Sequence, residues 1–422
     1  MEQLVINGPN KLSGEVSVSG SKNATLPIIA ATILINDQVT LKNVPKIKDV
    51  ELLLEILKSI GARFNFNDNL LKIDTSKIEC SDPSPELVRK LRASIVLIAP
   101  LLAKNKRVRI PHPGGCLIGS RPIDVHLNTL KAMGSEVKTE NDFYELGAES
   151  LSSRKVCCEF SVTGTENVIM AAVLTKGETE ISLAAAEPHV QDLCNFLNKA
   201  GAEISGIGTH NLKINGVQKL HNLSYSIIPD QIESGTFAIA AIATKSEVLI
   251  KGFIKDHHES LLSKFDLIGV NYKIIDSNKI IILPSHNLRP FKIRTEVYPG
   301  FPTDLQAPMA VLATQAGGST EIYETIFEGR LGYINELSKM GASCIVRDAH
   351  HATITGPTPL YGARITSFDL RAGATLIIAA LIAQGESRLD QIEIIDRGYE
   401  KIEEKFKKLG AKIKRVELKE IE

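Results

Sequence analysis

Apolar residues along this chain recur in a pattern that repeats six times. An amphipathic segment, with apolar residues at i, i+3 and i+4, ends in a leucine-like residue and glycine, followed by a small or apolar residue. The glycines are Gly61, Gly134, Gly201, Gly269, Gly341 and Gly410, spaced 67 to 73 residues apart. Segments such as Asp49 to Ile60 and Tyr399 to Leu409 therefore predict helices with one buried face. The glycine fits a C-cap in the left-handed region. After each glycine comes a short alternating run, a turn rich in Asn, Asp or Gly, and a second run. Arg63 to Phe66, the turn Asn67 to Asn69, and Leu70 to Asp74 form one such set, which predicts a β-hairpin.

A second kind of helix follows, made of small and almost wholly apolar residues. It is expected over Asn23 to Leu34, Arg92 to Ala103, Thr165 to Leu174, Glu233 to Thr244, Asp304 to Ala316 and Leu370 to Ala383. A helix that is apolar all round is buried all round. The reading is an α/β protein built from six helix-hairpin-helix repeats.

Only twelve residues follow Gly410, too few to complete the sixth repeat. The missing strands are available in Met1 to Gly20, ahead of the first buried helix, so the N-terminal segment is expected to pair with the C-terminal half. That predicts one domain of three repeats over 21–228, carrying the loop 111–122, and a second of three repeats from 1–20 plus 229–422. A chain of 422 residues suits two or three domains.

Lysine plus arginine (49) equals aspartate plus glutamate (49), which argues against a global basic field for nucleic acid. Any anion site must be local. The six cysteines, Cys80, Cys116, Cys157, Cys158, Cys194 and Cys344, form no CxxC pair and no metal-ligand spacing with histidine, so neither a disulfide framework nor a metal site is expected. The start of the chain lacks the basic and apolar regions of a signal peptide. Its longest apolar stretch, Ala372 to Ala383, is well short of the roughly 20 residues that span a bilayer. A cytoplasmic protein without membrane attachment is the expectation.

Chemistry concentrates in one loop. Pro111 to Pro122 packs three prolines and three glycines into twelve positions, a composition neither helix nor strand tolerates. Such a loop can close over a ligand as a lid, and it presents Cys116 five residues before Arg121. A nearby guanidinium favours the thiolate whereas a bound anion keeps the proton on sulfur, so Cys116 could serve as nucleophile or acid. The other five cysteines read as small buried hydrophobes. Lys22, Arg92, Asp304 and Arg371 stand near the starts of the buried helices, where exposed N–H groups attract anions. With Arg121 and Arg397 they are expected to converge on one cleft, of the kind often found between domains, supplying cations for phosphate and carboxylate. Asp304, which has no obvious partner in the sequence, is the candidate base. His257, His258, His350 and His351 look like ordinary polar placements, and His126 suits either a ligand contact or a structural role.

Six motifs together resemble the UDP-N-acetylglucosamine enolpyruvyl transferases. They are Ser-Gly-Ser-Lys-Asn at Ser19 to Asn23, Leu-Arg-Ala-Ser at Leu91 to Ser94, the Pro-Gly-Gly-Cys loop, Arg-Pro-Ile-Asp-Val-His at Arg121 to His126, Phe-Pro-Thr-Asp at Phe301 to Asp304, and Asp-Leu-Arg at Asp369 to Arg371. The resemblance runs from Gly8 to about Gly410. It implies an inside-out α/β barrel of two domains, three repeats in each. It also implies transfer of the enolpyruvyl group of phosphoenolpyruvate to the 3'-hydroxyl of UDP-N-acetylglucosamine, releasing phosphate by addition and elimination, with no cofactor and no essential metal. This is the first committed step of peptidoglycan synthesis.

Carried over by motif, Lys22, Asn23, Cys116, Arg121 and Arg397 would contact phosphoenolpyruvate, with Arg92 and Arg371 completing the basic pocket. Asp304 would take the proton of the sugar hydroxyl. Cys116 would protonate the methylene carbon or form a phospholactoyl thioether, and it is the thiol that fosfomycin alkylates in this family. The sugar nucleotide would lie against Arg92, Arg121, Pro122, Ile123, Asp124 and Val125, against Val162, Thr163 and Gly164, and against Asp304 and the backbone near Ile326. Arg330 and Asp369 would support this set. The rival readings are an enolpyruvylshikimate phosphate synthase, which shares fold and donor but lacks such a cysteine lid, and a catalytically silent sugar-nucleotide-binding paralogue.

Overall fold

The computed structural model describes residues 2–112, 114, 118–119 and 121–417. The chain divides into two compact units: Gly20 to Ile228 without Leu117–Ser120, and Met1–Ser19 with Leu117–Ser120 and Pro229–Glu422. Gly20 thus belongs with the residues that follow it.

Each unit is built around three buried helices. In the first these are Lys22–Ala31, the pair Arg92–Leu97 and Ile98–Asn105, and Val162–Ala172. In the second they are Gln231–Ala243, Thr303–Gln315 and Leu370–Ile382. The expected single helix from Arg92 is corrected to a 3-10 turn followed by an α-helix. Pro100 falls in the first turn of the α-helix that starts at Ile98, where its missing N–H costs no intrahelical bond.

Each buried helix belongs to a repeat that ends in an outer helix: Lys48–Ser59, Asp124–Ala132 and Pro188–Lys199 in the first unit, and Glu259–Ile268, Tyr333–Lys339 and Ile402–Lys408 in the second. The six glycines that end them have φ between 87° and 112°. An L-residue with a side chain pays roughly 1–2 kcal/mol to adopt that conformation, which is why glycine marks the repeat.

Six sheets are found among the described residues, three per unit; in four of them a parallel pair is joined to an antiparallel hairpin, and in a fifth the parallel pair is joined to two antiparallel strands from opposite ends of the chain. One example runs Ser224–Ser226, Gln38–Lys42, Leu70–Asp74, Arg63–Asn67, with Ser224 beside Thr40 in parallel and Arg63 opposite Asp74. Val39, Leu41, Leu71 and Ile73 point into the core while their strand neighbours face outward, the alternation expected of a half-buried sheet. The N-terminal strand Glu2–Gly8 lies between Gly385–Asp390 and Ile413–Glu417, antiparallel to both, filling the place the sixth repeat lacks. Ser13–Ser17 runs parallel to Glu247–Lys251. Each unit has its own hydrophobic core. Among the described residues no helix is long and apolar enough to cross a membrane.

Candidate active site

Helix starts carry most of the polar residues singled out in the sequence. In the first unit Ser21 caps Lys22–Ala31 through its hydroxyl, which accepts the Ala24 N–H, and this places Lys22 and Asn23 at the first two helical positions. The Lys22 ammonium lies 2.6 Å from the Asp49 carboxylate, with side chains only 13% and 5% exposed. Arg92 opens its 3-10 turn and donates to the Arg121 carbonyl. Burial, and then the Arg121 charge, push Arg92 down from its ordinary value.

After Arg121 the chain passes the exposed Pro122 and buried Ile123 into the helix Asp124–Ala132. Val162, Thr163 and Gly164 form the first turn of Val162–Ala172, capped by Ser161. These two stretches meet: a Cβ on Gly164 would sit 2.8 Å from Ser161 Oγ and 3.0 Å from Val125 Cγ1, so a side chain there would crowd both the cap and Val125. His126 completes the junction, with Nε2 3.1 Å from Thr163 Oγ1 and Nδ1 3.0 Å from Asn167 Nδ2. Asn167 Oδ1 accepts the Ala99 N–H at 2.9 Å, so its amide nitrogen faces His126 and donates to Nδ1. The neutral ring then carries its proton on Nε2 and donates to Thr163, whose own hydroxyl proton is left to point elsewhere.

In the second unit Asp304, Arg330, Arg371 and Asp369 form one cluster. Arg330 donates to Asp304 Oδ1 at 2.5 Å, and Arg371 donates to Oδ2 from Nε at 3.0 Å and from its terminal nitrogen at 2.8 Å. Asp304 is therefore not the unpaired aspartate that the sequence suggests. Its partners lie 26 and 67 residues away, beyond the reach of any local pattern. Burial alone would raise its carboxyl, but Arg371 and then Arg330 outweigh that and hold it well below the usual carboxylate range. Lys22 and Arg371 are likewise paired, with Asp49 and Asp304.

Asp369 caps Leu370–Ile382, accepting the N–H groups of Arg371 and Ala372 at 2.8 and 3.1 Å. Ile326 is exposed, and its N–H donates to Glu324. Arg397 ends the 3-10 turn Ile392–Arg397 and is half-buried. Ile118 and Gly119 belong to this unit, the Ile118 carbonyl accepting the Gly329 N–H at 2.9 Å. Cys116, the residue on which the sequence reading placed most weight, lies outside the described residues.

In a further polar cluster only Ser19, the first residue of the Ser-Gly-Ser-Lys-Asn motif, belongs to a motif seen in the sequence. Lys405 bonds the buried Glu233 and, at 2.7 Å, Ser19 Oγ, which in turn donates to Glu400 at 2.7 Å.

Cysteine placement needs a second correction. Cys158 and Cys194 are buried and Cys344 partly so, but Cys80 and Cys157 are exposed. Cys157 follows the buried Val156 on the strand Lys155–Cys157 and so points to the opposite face. Burial pushes the Cys158 and Cys194 thiols up to about 12. In native protein treated with an alkylating reagent and mapped by mass spectrometry, Cys80 and Cys157 should be labelled while Cys158 and Cys194 react only after unfolding. A label on native Cys194 would contradict this packing.

The family model described as EPSP synthase (3-phosphoshikimate 1-carboxyvinyltransferase) matches residues 6–406, and the chain is a member of that family of carboxyvinyltransferases. UDP-N-acetylglucosamine 1-carboxyvinyltransferase 2 of Carboxydothermus hydrogenoformans is 44% identical over 420 residues, covering 99% of this chain and 100% of its own. UDP-N-acetylglucosamine 1-carboxyvinyltransferase 1 of Clostridium acetobutylicum is also 44% identical, with the same coverage. Within the family, the chain belongs to the UDP-N-acetylglucosamine 1-carboxyvinyltransferases. Among solved structures, the enolpyruvyl transferase NikO from Streptomyces tendae superposes with a TM-score of 0.90 at 25% identity, over 99% of both chains. EPSP synthase from Acinetobacter baumannii gives 0.76 at 16% identity, covering 99% of this chain and 100% of its own, a likeness of fold.

Proposed function

We propose that this transferase moves the enolpyruvyl group of phosphoenolpyruvate to the 3'-hydroxyl of UDP-N-acetylglucosamine and releases phosphate, the step that commits the sugar nucleotide to peptidoglycan. The observation that carries this reading is the end-to-end match, at 44% identity, to relatives named for that activity. Chemically, the sugar oxygen adds to C2 of phosphoenolpyruvate while C3 gains a proton. Loss of a C3 proton and of phosphate then restores the double bond.

In this scheme Lys22, Asn23, Arg121 and Arg397 bind the donor's phosphate and carboxylate, and fixed cations stabilise the charge of the tetrahedral intermediate. Asp304 takes the hydroxyl proton and Cys116 supplies the proton to C3. Val125 and Thr163, which the fold brings together, would face the sugar nucleotide along with Ile326. Phosphate release from phosphoenolpyruvate should depend on UDP-N-acetylglucosamine and not on shikimate 3-phosphate. Release with the latter alone would favour the synthase reading, and release with neither would favour a silent paralogue.

A further inference from the structure

Glu324 is a buried carboxylate for which the proposed chemistry has no use, and its surroundings are unusual. It follows the strand Gly318–Tyr323, is 0% exposed, and pairs with no cation among the described residues. Its two oxygens accept four hydrogen bonds. Oε1 takes them from Thr295 Oγ1 at 3.0 Å, the Ile326 N–H at 2.8 Å and the Phe327 N–H at 3.2 Å. Oε2 takes one from the Thr303 hydroxyl at 2.7 Å. Burying a charge without a counter-charge is costly, and such an arrangement persists only where the hydrogen bonds compensate.

Those four bonds tie together the two parts of the second unit that the proposed acceptor chemistry needs. The turn carrying Ile326 closes on Oε1, and Thr295 pins the same turn again by accepting the Thr325 N–H at 2.8 Å. Oε2 fixes the direction of the Thr303 hydroxyl. Because Thr303 gives its single proton to Glu324, its oxygen must act as acceptor on the other side, where Arg330 donates at 2.9 Å. The other terminal nitrogen of Arg330 holds Asp304. Donor and acceptor thus alternate without a break from Glu324 through Thr303 and Arg330 to Asp304. Pro302, at the N-cap of this helix, makes no side-chain cap bond, so this chain of bonds is what orients its first turn.

We infer that Glu324 and Thr303 are positioning residues that set, from one buried carboxylate, both the orientation of Asp304 and the turn presenting Ile326. The inference rests on the acceptor chemistry proposed above. Thr303→Val removes the hydroxyl at nearly constant volume, Thr303→Ser keeps both bonds, and Glu324→Gln replaces one acceptor with a donor.

Steady-state kinetics with both substrates should show Thr303→Val and Glu324→Gln losing roughly 10- to 100-fold in kcat, the scale of a misplaced reacting group. KM for the sugar nucleotide should rise while KM for phosphoenolpyruvate stays within about twofold. Thr303→Ser should recover most of the loss. A merely structural role would move both KM values together and would not single out the hydroxyl. The inference is overturned by a Thr303→Val enzyme within about twofold of wild type in kcat and sugar-nucleotide KM, or by a Thr303→Ser enzyme as impaired as the valine variant. If wild type uses another acceptor in place of UDP-N-acetylglucosamine, the functional reading fails, and the same variant-to-wild-type ratios with that acceptor decide the positioning role.

Discussion

Replacing Asp304 with asparagine should lower kcat by roughly 10²- to 10⁴-fold, the usual contribution of a positioned general base, while sugar-nucleotide affinity changes far less. About a fifth of the Asp304 side chain (22%) remains exposed, enough for a substrate hydroxyl to reach it, whereas Arg330 and Arg371 are 5% and 4% exposed. The substitution therefore also strips two buried guanidiniums of their counter-charge. Breaking a buried pair from one side typically costs about 3–5 kcal/mol, so a lower unfolding temperature is expected as well. Kinetics must be read where the variant is still folded.

As it stands Asp304 is a weak base, since the two arginines hold its proton affinity low. Anionic substrates close to Arg371 would offset that charge and raise the proton affinity of the carboxylate when it is needed. An Asp304→Asn enzyme with unchanged turnover would end the base assignment. One with equal losses in kcat and affinity would reduce Asp304 to a scaffold for its arginines.

How far the sequence foretells this site depends on the range of the interaction. The buried helix Leu370–Ile382 was legible because every face of it is apolar, and the glycine at each outer helix end was legible because the left-handed conformation nearly demands it. Even the place of the N-terminal strand could be inferred, from the shortage of residues after Gly410.

Pairing between distant side chains was not legible. Nothing near Lys22 announces Asp49, and nothing near Asp304 announces Arg371, because each partner is chosen by how separate repeats pack. Glu324 looks in sequence like a polar residue closing a strand, and only the fold surrounds it with Thr295 and Thr303. The strand carrying Cys157 has three residues, too few for alternation to reveal which face the thiol takes. The Pro111 to Pro122 loop is the opposite case: its chemistry was the clearest signal in the sequence, and Cys116 itself lies outside the described residues.

Acid titration should distinguish the buried His126 from the groups around it. Burial, and then the Arg92 charge, push His126 down to about 4, and the residue is only 2% exposed. Between that value and the ordinary one near 6.5, the unfolded chain binds a proton that the folded chain refuses. The stability due to neutral His126 is therefore complete above about pH 6.5 and is lost as pH falls towards 4. At about 1.4 kcal/mol per unit the loss amounts to roughly 3 kcal/mol.

Asp192, in the same unit, works against it. Burial raises that carboxyl to about 6, so its contribution is present at low pH and is lost as pH rises through that value. The two opposed terms would flatten the wild-type curve, so the informative quantity is the difference between wild type and His126→Gln. Hydrogen exchange at the amides of Val162–Ala172, followed from pH 7 to 4.5, should show the variant gaining on wild type as the pH drops. Parallel curves would mean that His126 titrates alike folded and unfolded. The chain Asn167–His126–Thr163 would then lose its fixed tautomer, and with it the direction of the Thr163 hydroxyl.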